Sequence, residues 1–241
     1  MKNADKGFSL IELLIVMVVL GIIMGAVFSL VNLAAARSST EQAKLDMFQE
    51  SREFMDQMSR DLRQAGYPSA VNFTNSTLTI SPVQDDGRVA SGLVKVDVGE
   101  LWFEGDVDGT GTVSVVHYVI DSSTTNNCPC LKRSQLPKVN NADPYTGQTT
   151  PAYQTEVQGV QNTSIFTAYT KGATGTPLTL PLNFNSDGAT IAGIDTIQAV
   201  LTVQSTFIDP QTRVHPIETL AITVKLNNCS LAAPTQAMSC F

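Results

Sequence analysis

Apolar residues are concentrated at one end of the chain. From Leu13 to Val31, nineteen consecutive residues carry no charge, and most are Leu, Ile, Val or Met. A helix of that length covers about 28 Å, one bilayer core. Beyond Arg37 the pattern turns amphipathic. Leu45, Phe48, Met55, Met58, Leu62 and Ala65 recur at spacings of three, four and seven, with Glu41, Lys44, Glu50, Arg52, Glu53, Asp56, Arg60 and Asp61 around the remaining surface. Gly66, Tyr67 and Pro68 mark the helix end, because glycine closes the last turn and proline cannot continue it. From Phe8 to Ala65 the expected rod spans 58 residues, about 87 Å.

After residue 70 the period changes from 3.6 to 2. Asn75 to Ile80, Val94 to Phe103, Val113 to Ile120, Ile197 to Phe207 and Thr219 to Leu226 alternate or cluster Val, Ile, Leu, Thr and aromatics between turn residues. These stretches predict strands. Short turns without intervening helical patterns favour an antiparallel sheet, one face of which covers the amphipathic half of the helix. The expected class is α+β: a long N-terminal helix packed on an antiparallel β-sheet head. Between Asp121 and about Pro181 the chain is rich in Thr, Asn, Gly and Pro. It predicts surface loop with one further strand at Ile165 to Tyr169.

Composition narrows the function. With 43% hydrophobic and 15% charged residues, a packed core is affordable and wholesale disorder is excluded. Fifteen Lys and Arg against 22 Asp and Glu leave a net charge of −7, a poor basis for nucleic-acid binding. The two histidines, His117 and His215, lie in unrelated contexts. Nucleophile-elbow, Walker, dinucleotide-binding and zinc-protease patterns are all missing, and no enzymatic activity is expected.

Glu12 stands out within the apolar stretch. A carboxylate in the middle of a membrane helix costs about 2.5–3.5 kcal/mol, and somewhat less near an end. One reading is local: Ser9-x-x-Glu12 has the spacing of a capping box. The other is that Glu12 meets an α-amino group created by a cut just before the apolar run. A secretory signal cleaved after Ala34-Ala35-Ala36 is the rival, but nineteen residues exceed an ordinary signal core of about 7–15.

The stretch Lys6-Gly7-Phe8-Ser9-Leu10-Ile11-Glu12-Leu13-Leu14-Ile15 resembles the leader junction of type IV pilins and type II secretion pseudopilins. The resemblance implies cleavage after Gly7 by a prepilin peptidase and methylation of the new amine on Phe8. It also implies that Glu12 neutralises the N-terminal ammonium of a neighbouring subunit during assembly. Where many major pilins carry a mid-helix proline, this chain has Ser29, with Gly21 and Gly25 upstream. The segment RDLRQAGYPSA, residues 60–70, resembles the helix end of PilW-type minor pilins.

The expected organisation is a leader at 1–7, a transmembrane and polymerisation helix at 8–36, an amphipathic continuation at 37–66 and a β-rich head at 67–241. The resemblance implies a minor pilin of a type IV pilus. Its partners would be the prepilin peptidase, the major pilin, other minor pilins, the inner-membrane assembly platform and the membrane. It would cross the bacterial inner membrane once, with its head in the periplasm, before reaching the cell surface in the pilus. The alternatives are a large pseudopilin at the tip of a type II secretion pseudopilus and an anchored exported binding domain that never polymerises.

Three further features carry candidate chemistry. Asp106 and Asp108 in Glu104-Gly-Asp-Val-Asp-Gly-Thr-Gly-Thr112 resemble the start of a calcium loop, although the distal bidentate acid of an EF-hand is missing. The competing reading is a hairpin turn, and no other cofactor is expected. His117 in SVVHYVID reads as a partly buried strand residue. Four cysteines, all after residue 127, suit an oxidising compartment. Cys128-Pro-Cys130 is too closely spaced for a relaxed bridge. Pairing of Cys229 with Cys240 would resemble the disulfide-bounded C-terminal region of many pilins and contribute roughly 2–3 kcal/mol by loop closure. The other open pairing ties each of these two to Cys128 and Cys130.

Overall fold

The computed structural model describes residues 9–73, 77–123, 128–170, 175–209 and 212–226. Helix α1, Leu10–Gln64, is continuous. It is followed by two short 3-10 turns, Ala70–Asn72 and Val83–Asp85. The strands are β1 Leu93–Val96, β2 Glu100–Gly105, β3 Ser114–Asp121, β4 Cys130–Pro137, β5 Gln154–Gln158, β6 Phe166–Thr170, β7 Leu182–Asn183, β8 Ile194–Gln204 and β9 Ile217–Lys225, with helix α2, Phe184–Ala192, between β7 and β8. They form two sheets, ordered β5-β4-β3-β2-β1-β7 and β6-β8-β9. All named pairings are antiparallel. The expected architecture, a long helix against antiparallel sheet, is the one observed.

Only the second half of α1 enters the core. Phe54, Met55, Met58 and Leu62 are buried, together with Leu101, Phe103, Val116 and Tyr118 from β2 and β3 and Ile197, Ala199, Leu201 and Val203 from β8. Burying each of the larger side chains contributes about 1.5–3 kcal/mol. The helix end is drawn tightly onto β2. Gly66 N–H donates to the Glu104 carbonyl at 2.8 Å, and Ala65 bridges Gly105. A Cβ on Gly105 would stand 2.4 Å from the Gln64 carbonyl oxygen, so only glycine permits this approach.

Several sequence expectations are corrected. Asp61, read as part of the solvated face, is 5% exposed. Its Oδ2 accepts from the Tyr118 hydroxyl at 2.7 Å and from Arg133 Nη2 at 2.8 Å, which fastens α1 to β3 and β4. Leu45, read as a core position, is 57% exposed, whereas Met47 of the same turn packs against the core. Thr77–Ile80, the described part of the expected strand at Asn75 to Ile80, is not a strand; β7 occupies the place beside β1. The expected single strand from Val94 to Phe103 is a hairpin. The chain reverses at Val98-Gly99, with Asp97 N–H donating to the Glu100 carbonyl at 2.7 Å.

The stretch expected as loop contains β4 and β5, and the sheet's connections include α2. Strand β4 escapes an apolar pattern because one of its inward residues is Arg133, made tolerable by Asp61. Helix α2 is composed of residues that read as turn. It forms because the Asn183 side chain caps Ser186 N–H at 2.9 Å.

A second buried ion pair holds the long connection from α1 to β1. Lys138 and Glu104 meet at 2.6 Å with both side chains fully buried. Lys138 Nζ also donates to the Gln84 and Val89 carbonyls at 2.6 and 2.8 Å, and Ser91 N–H donates to Glu104 at 2.9 Å. Shared hydrogen bonds of this kind are what make such a pair sustainable without water.

Asp61→Ala strands the Arg133 guanidinium, whose side chain is 12% exposed. The expected loss is about 3 kcal/mol in urea unfolding, against less than about 0.5 kcal/mol for Asp56→Ala on the exposed face. Replacing both partners, Asp61→Leu with Arg133→Met, is expected to recover most of that loss.

Candidate functional site

Glu12 lies in the first turn of α1, where Ser9 is the N-cap. Its Oε2 accepts from Ser9 N–H at 3.1 Å, the backbone half of a capping box. The local reading of Glu12 is therefore realised within the chain. It leaves the carboxylate exposed and available to a second partner, since one hydrogen bond satisfies only part of its acceptor capacity.

Every large apolar side chain from Leu10 to Leu33 is exposed. The helix is long and apolar enough to cross a membrane, with a mean hydropathy of 2.9 in its apolar stretch. Among the described residues, nothing in the head covers it. A Cβ placed on Gly21 or Gly25 would meet no atom within 4 Å, so the pair offers a flat strip for close approach of another helix. Gly7 and Phe8 lie outside the described residues.

The Asp106 and Asp108 pair sits in the connection between β2 and β3, and the hairpin expectation holds because these strands pair from Glu100↔Val119 to Gly105↔Ser114. Asp106 Oδ2 accepts from Gly111 N–H at 3.0 Å. Asp108 Oδ1 accepts from Thr110 N–H at 3.1 Å and Thr110 Oγ1 at 2.7 Å. Those hydrogen bonds hold the Asp108 carboxyl below its ordinary value. Asp106 is 8% exposed, and its Oδ1 is buried without a partner.

On the face of the larger sheet turned away from α1, an aromatic cluster has formed that sequence patterning did not reveal. The His117 ring lies 4.1 Å from that of Trp102, which lies 5.6 Å from Tyr145. Trp102 Nε1 donates to Glu100 at 2.7 Å, and Glu100 pairs with Lys95. Burial, assisted by the Lys95 charge, pulls His117 down to about 4. Its neutral ring is a packing element, as expected for a strand residue, but it is more deeply buried than its position suggested.

Cys128 and Cys130 are bonded to each other. Their Cα atoms stand 4.5 Å apart, inside the range a bridge requires. Cys229 and Cys240, and with them their expected pairings, lie outside the described residues. Asp121 is the third member of a cluster with the two sulfurs, but sulfurs joined in a disulfide are not thiolate ligands. Its carboxylate instead pairs with Lys132 at 2.5 Å.

Residues 2–28 match the family described as the prokaryotic N-terminal methylation motif. No curated protein and no solved structure matches the chain. The motif, with an architecture that suits it, indicates a type IV pilin-like or pseudopilin-like protein with a prepilin leader. A motif of this class implies processing by a prepilin peptidase and association with the membrane, and the bare apolar half of α1 suits that anchoring.

Because His117 titrates near 4 in the folded head and near 6.5 when unfolded, the unfolded chain takes up a proton between those values that the folded chain refuses. Stability from this residue is complete above about pH 6.5 and is lost as the pH falls towards 4, by about 2–3 kcal/mol. Fluorescence of Trp102, the single tryptophan of the chain, reports the unfolding directly. His117→Phe is expected to flatten the pH dependence in that interval.

Proposed function

We propose that the chain is a minor pilin of a type IV pilus, of PilW type. It is cut after Gly7, methylated on Phe8 and incorporated through α1 into the pilus or its initiation and tip complex, supporting pilus assembly. In this reading it crosses the bacterial inner membrane once with its head in the periplasm, and then reaches the cell surface. Its partners are the prepilin peptidase, the major pilin, other minor pilins and the inner-membrane platform. The head serves as a structural module without catalysis.

The observation that supports this most is the pairing of an exposed Glu12 with a helix half, Leu10 to Leu33, whose large apolar side chains have no cover among the described residues. Outside lipid, that surface is unfavourable unless other helices pack on it. Within lipid, Glu12 is unfavourable unless a positive charge meets it. A bundle of like helices, each beginning with a free ammonium, answers both requirements at once. The opposite charges also set the axial register, since a shifted helix leaves both buried and unpaired. A large pseudopilin of a type II secretion system would use the same device. Deletion of the gene separates the two, by loss of pili or by loss of secretion.

Mass analysis of the membrane-extracted protein is expected to give a chain starting at methylated Phe8. Gly7→Ala is expected to leave the leader attached. Glu12→Ala is expected to be cut normally yet to fall at least about tenfold in sheared filament fractions, because a single buried unpaired charge costs several kcal/mol. A native chain that starts at Met1 or Arg37, or a Glu12→Ala variant recruited as well as the wild type, overturns the reading.

A further inference from the structure

The loop between β2 and β3 holds a charge arrangement that the fold does not resolve. Asp106 is more than nine-tenths buried, and its Oδ1 has no hydrogen-bond partner. An ionised carboxylate oxygen enclosed in this way is unfavourable without a donor or a counter-ion. Asp108, whose carboxyl is exposed, lies two residues further along the same loop. None of the ion pairs among the described residues involves either of them.

We propose that this loop binds one calcium ion through the Asp106 and Asp108 carboxylates, assisted by Thr110. The ion supplies the positive charge that Asp106 Oδ1 and Asp108 lack. Oxygen is the only donor type the loop offers between Asp106 and Thr112, which favours a hard cation over zinc or copper. Calcium fits better than magnesium, because calcium accepts irregular coordination with carbonyls and several waters whereas magnesium demands a near-ideal octahedron.

The chain has room for such water. Gly109 and Gly111 take φ of +69° and +81°, and a Cβ on either would meet nothing within 4 Å, so the outer side of the loop is open. Counting from Asp106, the acidic residues and Thr110 occupy the first, third and fifth places and Gly111 the sixth. The twelfth is His117, which packs on Trp102 in strand β3 rather than acting as a bidentate acid. With two carboxylates in place of the usual larger set, affinity belongs in the weak extracellular range, about 10⁻⁴–10⁻³ M.

The position of the loop suggests what calcium would do. Asp106 N–H donates to the Tyr67 carbonyl at 2.8 Å, just beyond the end of α1. A cation held by the Asp106 side chain therefore tightens the junction between the rod and the head. This inference is independent of the assembly reading, since it requires only that the head fold.

Full-length protein in detergent, stripped with chelator, is titrated with calcium chloride by calorimetry, and its unfolding is followed with Trp102 fluorescence. The expected result is one site with a Kd of about 10⁻⁴–10⁻³ M and a rise in unfolding midpoint of about 2–4 °C at 5 mM calcium. Asp108→Asn keeps a carbonyl oxygen for the Thr110 contacts and lies in an exposed turn, so in chelator it should unfold with the wild type. It should lose at least about tenfold in calcium affinity, whereas Glu218→Gln on β9 should lose none. Absence of binding at 10 mM calcium, an unchanged response in Asp108→Asn, or an equal response to magnesium each overturns the assignment.

Discussion

A helix of 55 residues extends about 80 Å, more than twice the length of the longest strand, the 11-residue β8. The head can therefore cover only one end, and the two ends of α1 face incompatible surroundings. Toward the C-terminus, Phe54, Met55, Met58 and Leu62 lie in a dry core. Toward the N-terminus, the large apolar side chains from Leu10 to Leu33 are exposed among the described residues. The hydrophobic effect demands cover for the second set as firmly as for the first. Because the head cannot provide it, lipid or other helices must.

Each half of the rod also holds an acid within an otherwise apolar surface, and the two are satisfied differently. Asp61 is met by Tyr118 and Arg133 from the same chain, so its role is complete within one molecule. Among the described residues, Glu12 receives only a backbone N–H of its own first turn. A carboxylate with a local contact but no counter-charge is suited to intermolecular pairing, whereas one already bound to arginine is not. The fold thus separates an internal fastening from an external one along a single helix.

The rod meets the head through polar contacts as much as through apolar ones. Gly105 lets the end of α1 touch β2, and Glu104 next to it is held by Lys138. Asp106 follows and reaches back to Tyr67. Three successive residues of one strand end thereby tie together the helix terminus, the connection to β1 and the β2–β3 loop. Movement of the rod against the head would have to break all of these at once, and their hydrogen bonds cannot be replaced by water while buried.

Local sequence determined the features that depend on neighbours along the chain. These were the span and uniform apolarity of the first half of α1, the Gly66 stop, the oddity of Glu12, and the alternation that marks β3, β8 and β9. Such signals are legible because helix and strand periods are written in the spacing of apolar residues. Tertiary structure alone decided the burial of Asp61, Glu104 and Lys138, the strand identity of the β4 residues around Arg133, and the stacking of His117 on Trp102. In each case the residue type argues for solvent, and it is buried only because a partner 15 to 72 positions away in the chain neutralises or covers it. The physical reason is that periodicity records which side of an element is apolar, whereas the cost of burying a charge is set by what stands opposite it in space.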